Sequence, residues 1–141
     1  MNSTLKKFNY PNSLIKEYNN WYLLLRPEQI TFGAMILVEK SSKKNLSRIP
    51  AKSFLELKKI TNKIERLFLT KLKFNKMNYL ILMMVDPHVH LHIIPRHKKN
   101  IVFNKKSFKD FGYPKPPNLF KKNNINPKLL SKLKEKLQNY L

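Results

Sequence analysis

Apolar positions in this chain fall into short unbroken runs and two longer stripes. Trp21-Tyr22-Leu23-Leu24-Leu25-Arg26, Ala34-Met35-Ile36-Leu37-Val38-Glu39 and Met77 to Val85 have strand length. Pro27-Glu28-Gln29 and Asp86-Pro87 punctuate them as turns. The third run does not alternate, which predicts a strand covered on both faces or central in its sheet. Between the second and third runs, Phe54, Leu57, Ile60, Ile64, Leu67, Phe68 and Leu72 recur at helical steps. That stripe predicts a core-packed helix from Ala51 to about Lys73, with Pro50 suited to its first turn. Asn126-Pro127 opens a final helix carrying Leu129, Leu130, Leu133, Leu137 and Leu141. Weaker signals are a loose basic arm over 1–11, a short helix capped by Asn12 or Ser13 and running to about Tyr18, and a Lys-rich loop from Ser41 to Arg48. A short edge strand at Ile101-Val102-Phe103 and an irregular, Pro-stiffened segment from Lys105 to Phe120 complete the chain. The whole chain, 1–141, is predicted to be one domain, with a core over about 12–104 and a C-terminal extension over 105–141.

All four histidines lie in Asp86-Pro87-His88-Val89-His90-Leu91-His92-Ile93-Ile94-Pro95-Arg96-His97. His88, His90 and His92 alternate with apolar residues, and a strand sends alternate side chains to one face. The imidazoles then form a row backed by Val89, Leu91 and Ile93. Too few residues separate this strand from the preceding run for a helical crossover, so the two are expected to be antiparallel neighbours.

Composition bears on partners. The formal charge is +21, from 29 basic and 8 acidic residues, a balance that favours polyanions. Lysines scattered beside abundant Asn also fit compositional drift, so Arg26, Arg48, Arg66 and Arg96 carry more information. There are no cysteines, which excludes disulfides and Cys-based zinc sites. The start lacks an apolar signal region, and no run approaches the roughly 18–20 residues of a membrane span. A cytoplasmic protein with no membrane partner is expected.

Three kinds of chemistry suit the histidine row. The first and third rings are about 13 Å apart along a strand at roughly 3.3 Å per residue. Two neighbouring rings could chelate a metal, but a third ligand must come from elsewhere, and Asp86 is the only nearby carboxylate. The rings could instead fill a sheet face structurally. Or the middle ring could attack a phosphate through one nitrogen while a hydrogen bond fixes the other. A flanking protonated ring would then stabilise phosphate oxygens or donate to the leaving group, with Arg96 and His97 placed to hold further phosphates. Such transfer is mostly positioning and charge stabilisation and requires no metal or cofactor. Gly33, one of two glycines, marks a positive-φ turn or a close approach of ligand.

The segment His88-Val89-His90-Leu91-His92-Ile93-Ile94 closely resembles the signature of the histidine triad (HIT) family, three histidines alternating with apolar residues. The similarity extends over about residues 21–97, from Trp21 through Gly33, the long helix and the paired strands. It implies an α+β fold: a mainly antiparallel sheet of about five strands with one long helix packed on it, a C-terminal helix and a homodimer. It implies hydrolysis or transfer at the α-phosphate of dinucleoside polyphosphates, nucleoside phosphoramidates or adenylates. Carried across, His90 is the nucleophile, His92 contacts the phosphate near the leaving group, and His88 orients His90. Three positions depart from the family pattern. A polar Gly-Gln-Ser/Thr segment before the triad is replaced by Met83-Met84-Val85. A ribose-binding Asp or Asn is replaced by Arg26. A histidine found in some relatives after the glycine is Ala34. Arg96, His97, Arg26 and Gly33 are therefore the expected phosphate-binding set. Removal of adenylate from nucleic-acid ends, as in a repair branch of the family, and a non-catalytic nucleotide-binding module are the alternative functions.

Overall fold

A computed structural model describes residues 2–141; Met1, the first residue of the basic arm, lies outside them. The sheet strands are β1 (Leu14–Glu17), β2 (Trp21–Leu25), β3 (Met35–Glu39), β4 (Lys76–Leu80) and β5 (His90–Arg96), of which β2, β3 and β4 come from the apolar runs. They make one antiparallel sheet in the order β1-β2-β3-β5-β4. The side-chain period of two divides the sheet cleanly. Trp21, Leu23, Leu25, Met35, Leu37, Leu91 and Ile93 belong to one large buried cluster. Leu24, Ile36 and Val38 belong to a second. Because Ile36 pairs with His92 and Val38 with His90, the second face is also the histidine face.

Helix α1 (Ser3–Lys7) covers the histidine face, while α2 (Ala51–Glu65) and α3 (Pro127–Tyr140) cover the other. In α2 the stripe buries Ile60 and Ile64, and a wider π-helical turn over Arg66–Lys71 buries Leu67 and Phe68. Phe54, the first residue of the predicted stripe, is 42% exposed, because the first turn meets the sheet through buried Ser53 instead, whose C=O accepts Trp21 Nε1–H at 2.8 Å and whose hydroxyl donates to Glu39 at 2.6 Å. In α3 the Asn126 side chain accepts the Leu129 N–H at 2.8 Å, and Leu133 and Leu137 are buried. Among the described residues, no helix is long and apolar enough to cross a membrane.

Four local expectations need correction. The segment 12–18 is not a helix but the edge strand β1. Local capping signals lose to pairing with β2, where Leu25 N–H donates to Ser13 C=O at 2.8 Å and Tyr18 N–H to Trp21 C=O at 2.8 Å. The arm is not loose over its described residues, 2–11. The Asn2 side chain accepts the Leu5 N–H at 2.9 Å and starts α1, whose Thr4 and Leu5 are buried. The third apolar run is not a central strand. It pairs as β4 only to Leu80, opposite His92, on the outer edge of the sheet. Beyond Leu80, Met84 and Val85 are 81% and 83% exposed. Finally, Ile101–Phe103 (β6) is half of a hairpin with an unforeseen β7 (Lys106–Phe108). Phe108 is fully buried and packs edge-on to Phe32 at 5.2 Å, so the segment after residue 104 contributes to the same core.

Candidate active site

The triad histidines are not equivalent by structure. His90 and His92 lie on β5, buried to 1% and 7% exposure. His88 falls in a bend just before the strand and is half-buried. The β-like path still holds Val89, whose N–H donates to Lys43 C=O at 2.8 Å and whose C=O accepts Glu39 N–H at 3.1 Å. The His90 and His92 rings are edge-on with centroids 5.0 Å apart.

His90 has its proton placed by the backbone. Its Nδ1 lies 2.6 Å from the His88 carbonyl oxygen. A carbonyl only accepts, so Nδ1 carries the hydrogen and the neutral ring keeps its lone pair on Nε2. His88 Nδ1 in turn lies 3.1 Å from the Thr4 hydroxyl. His92 Nδ1 is buried with no partner among the described residues. Burial first, then the charges of His90 and Arg26, push the His92 pKa down to about 4. The flanking ring expected to be protonated is therefore neutral at pH 7 in the free chain. His88 is lowered too, by desolvation and then by Lys44 and His90.

Helix α1 lies over this face. The Phe8 ring is 6.0 Å from both His90 and His92, and Lys7 Nζ is 3.5 Å from Asp86. Asn2 Nδ2 donates to Ser42 Oγ at 3.2 Å. The helix thus reaches from the loop after β3 to the segment before the triad.

The expected phosphate grip is dispersed. Arg96 is 4% exposed and held internally. Its Nε and Nη2 donate to the Asp110 carboxylate at 2.6 and 3.1 Å, Nη1 to Asn78 Oδ1 at 2.8 Å, and Nη2 also to Lys115 C=O at 2.8 Å. His97 accepts the Phe32 N–H on Nε2 at 3.1 Å and donates Nδ1–H to Lys99 C=O at 2.9 Å. Both ring nitrogens are engaged, and burial lowers its pKa. These two residues therefore hold the end of β5 and the chain after it through internal partners. Gly33 does have a positive φ, +81°, but its close approach is to Phe68, where a Cβ would meet ring carbons at 2.9 Å. It serves the turn and the core rather than a ligand.

Arg26 alone of that set stands beside the triad, close enough for its charge to act on His92. The loop that places it is tied by Gln29, fully buried. Gln29 Nε2 donates to the Arg26 and Ala34 carbonyls at 2.7 and 3.0 Å, and Oε1 accepts the Gly33 N–H at 2.9 Å. Sequence reasoning missed Gln29, Thr4, Lys7, Phe8 and Asp110. The available signal was the Asn2 cap followed by Leu5 and Phe8, three residues apart on one helical face.

No family model matches the sequence, and neither does any curated protein. Solved structures do match. A histidine triad protein from Sinorhizobium meliloti superposes with a TM-score of 0.75 at 17% identity, covering 100% of this chain and 96% of that one. One from Bradyrhizobium japonicum gives 0.73 at 16% identity, covering 99% and 95%. A diadenosine triphosphate hydrolase from Plasmodium falciparum gives 0.66 at 11% identity, covering 97% and 92%. The five-stranded antiparallel sheet, with one long helix and a C-terminal helix on it, is the histidine triad fold, and His88, just before β5, with His90 and His92 on it, carry the motif for which that fold is named.

Proposed function

We propose that this chain is a nucleotidyl hydrolase or transferase that attacks the α-phosphate of dinucleoside polyphosphates, nucleoside phosphoramidates or adenylates through His90. The observation that carries the reading is the 2.6 Å contact between His90 Nδ1 and the His88 carbonyl. It fixes the tautomer in which Nε2 faces a phosphate with a free lone pair. Nε2 forms a bond to phosphorus, the bond from phosphorus to the leaving group breaks, and the leaving group takes a proton. His92, neutral in the free chain, takes up a proton from solvent as the charged phosphate binds beside it and donates that proton to the leaving group. Water then attacks the phosphorus of nucleotidyl-His90, releasing a nucleoside monophosphate and the free ring. The structurally similar Plasmodium falciparum diadenosine triphosphate hydrolase makes polyphosphates the first substrates to test.

His90→Ala is expected to abolish turnover of such substrates while leaving the fold intact, and rapid acid quench of wild type should yield a nucleotide bound to His90 in peptide maps. Wild-type rates in the variant would end the mechanism. The burial of His90 behind Phe8 is the observation on the side of a non-catalytic binding module, and nucleotide binding with no adduct and no turnover would select it. A homodimer is part of the same proposal. The unpaired outer edge of β4 and the exposed Ile81, Leu82, Met84 and Val85 beside it give it a surface. Light scattering should give twice the chain mass, and Met84→Asp should halve it; a monomeric wild type would refute the assembly.

A further inference from the structure

Arg26 is 9% exposed and lacks a close internal counter-charge. Its Nη1 donates to the Glu28 backbone carbonyl at 2.8 Å. The Glu28 carboxylate is 3.9 Å away on a side chain 56% exposed, and also faces Lys122 at 3.5 Å. Arg26 Nε has no partner among the described residues. Burying a cation without a matched anion is unfavourable, and an arginine cannot escape by losing its proton. Such a group in a fold is explained by a ligand that brings the missing charge.

The surroundings specify the ligand. Arg26, Lys7, Phe8, Pro27 and Glu28 line a cavity of about 270 Å³. Phe8 forms a wall shared with the triad, since its ring is 6.0 Å from both His90 and His92. Lys7 brings a second ammonium, shared with Asp86 at 3.5 Å. Two cations then stand on the His92 side of the reacting centre, one of them a buried planar fork suited to phosphate oxygens. Glu28 is the opposing charge, solvated and drawn toward Lys122.

We propose that this cavity is a subsite for a second phosphate of the substrate, distinct from the phosphate that His90 attacks. The assignment rests on the reading of His90 as the nucleotidyl acceptor. The second phosphate has two sources: the next one along a polyphosphate leaving group, or one carried on the ribose. The subsite makes the protein selective for substrates with more than one phosphate, and Lys7 couples that selectivity to the docked position of α1.

Two measurements on the full chain test it. The first is titration with inorganic pyrophosphate at physiological salt. Arg26→Gln should weaken binding about tenfold, the loss of one charge-assisted hydrogen-bonding partner. Arg26→Lys should fall between, Glu28→Gln should tighten binding, and Lys58→Gln on the exposed side of α2 should leave it unchanged. Equal affinities for wild type and Arg26→Gln would overturn the subsite. The second compares KM and kcat for adenosine 5′-phosphoramidate, diadenosine tetraphosphate and 3′-phosphoadenosine 5′-phosphoramidate. Arg26→Gln should raise KM for whichever of the last two fills the subsite and leave the first within about threefold. An increase for the tetraphosphate alone assigns the polyphosphate chain, and one for the 3′-phosphate alone assigns the ribose. An equal effect on all three substrates would overturn the proposal. Loss of the nucleotidyl-His90 adduct in wild type would defeat the catalytic reading, and the pyrophosphate titration would still decide the subsite.

Discussion

The chain buries two arginines and surrounds them differently. Arg96, at the end of the histidine strand, meets the Asp110 carboxylate with two nitrogens and adds Asn78 and the Lys115 carbonyl. Arg26, beside His92, has one backbone carbonyl, a distant exposed carboxylate and an unpartnered Nε. The first arrangement is complete within the fold and holds the β7–α3 connection against the sheet. The second is incomplete, and burial lowers the Arg26 pKa. Both look alike as letters, and both were expected to hold phosphate. The difference lies in partners: a satisfied buried charge is architecture, and an unsatisfied one facing a cavity invites a ligand.

The largest effect that would test this contrast is Asp110→Ala. It strands Arg96 in the interior and is expected to destabilise the fold by about 3–5 kcal/mol, read as a lowered denaturation midpoint in urea. A loss under about 1 kcal/mol would mean that Arg96 is no better satisfied than Arg26.

Next is acid sensitivity on the triad side. His92 titrates near 4 in the fold and near 6.5 unfolded. The unfolded chain therefore binds more protons between these values, and stability rises with pH across that window. It is fully present above about pH 6.5 and is lost as pH falls toward 4. His88 and His97 are shifted in the same direction. About 3 kcal/mol of the change in unfolding free energy across that window is expected to belong to His92, so His92→Gln should flatten a plot of unfolding free energy against pH. An unchanged slope would refute the assignment.

Arg26→Gln should then alter stability by less than about 1 kcal/mol in either direction, in contrast to Asp110→Ala, because it removes a charge that the fold does not satisfy. A melt lower by many degrees would show that Arg26 is architectural after all. The smallest effect is Thr4→Val, which deletes the hydroxyl at His88 Nδ1. A loss of about 1 kcal/mol is expected, with kcat changed more than KM if that contact orients the triad. Identical kcat in the variant would show that the contact merely docks α1.

The sequence made β2, β3, the long helix and the histidine strand legible because each is set by a local period: two for strands, three and four for helices. The same locality explains the failures. Helix α1 spans five residues, too few to display a period, and its role depends on contacts distant in sequence, Thr4 with His88 and the capping Phe8 with His90 and His92. The segment 14–17 folds as a strand because β2 lies beside it, a fact no local window contains. Arg96 and His97 were assigned by their nearness to the triad in the chain, yet the partner that claims Arg96 lies 14 residues on, at Asp110. Arg26 was noticed as a departure from a family pattern, but its lack of a counter-ion could be seen only in space.

Helix α1 over the histidine face has a consequence for measured affinity. The cavity beside the triad is lined by Lys7 and Phe8, so only the fraction of molecules with α1 docked presents the complete subsite at any instant. The apparent dissociation constant equals the intrinsic one divided by that fraction. Once the undocked state predominates, every further ~1.4 kcal/mol in its favour makes binding tenfold weaker without altering an atom of the triad. Substitutions at Leu5, buried under α1 and away from the triad rings, are thus a gain control on ligand binding.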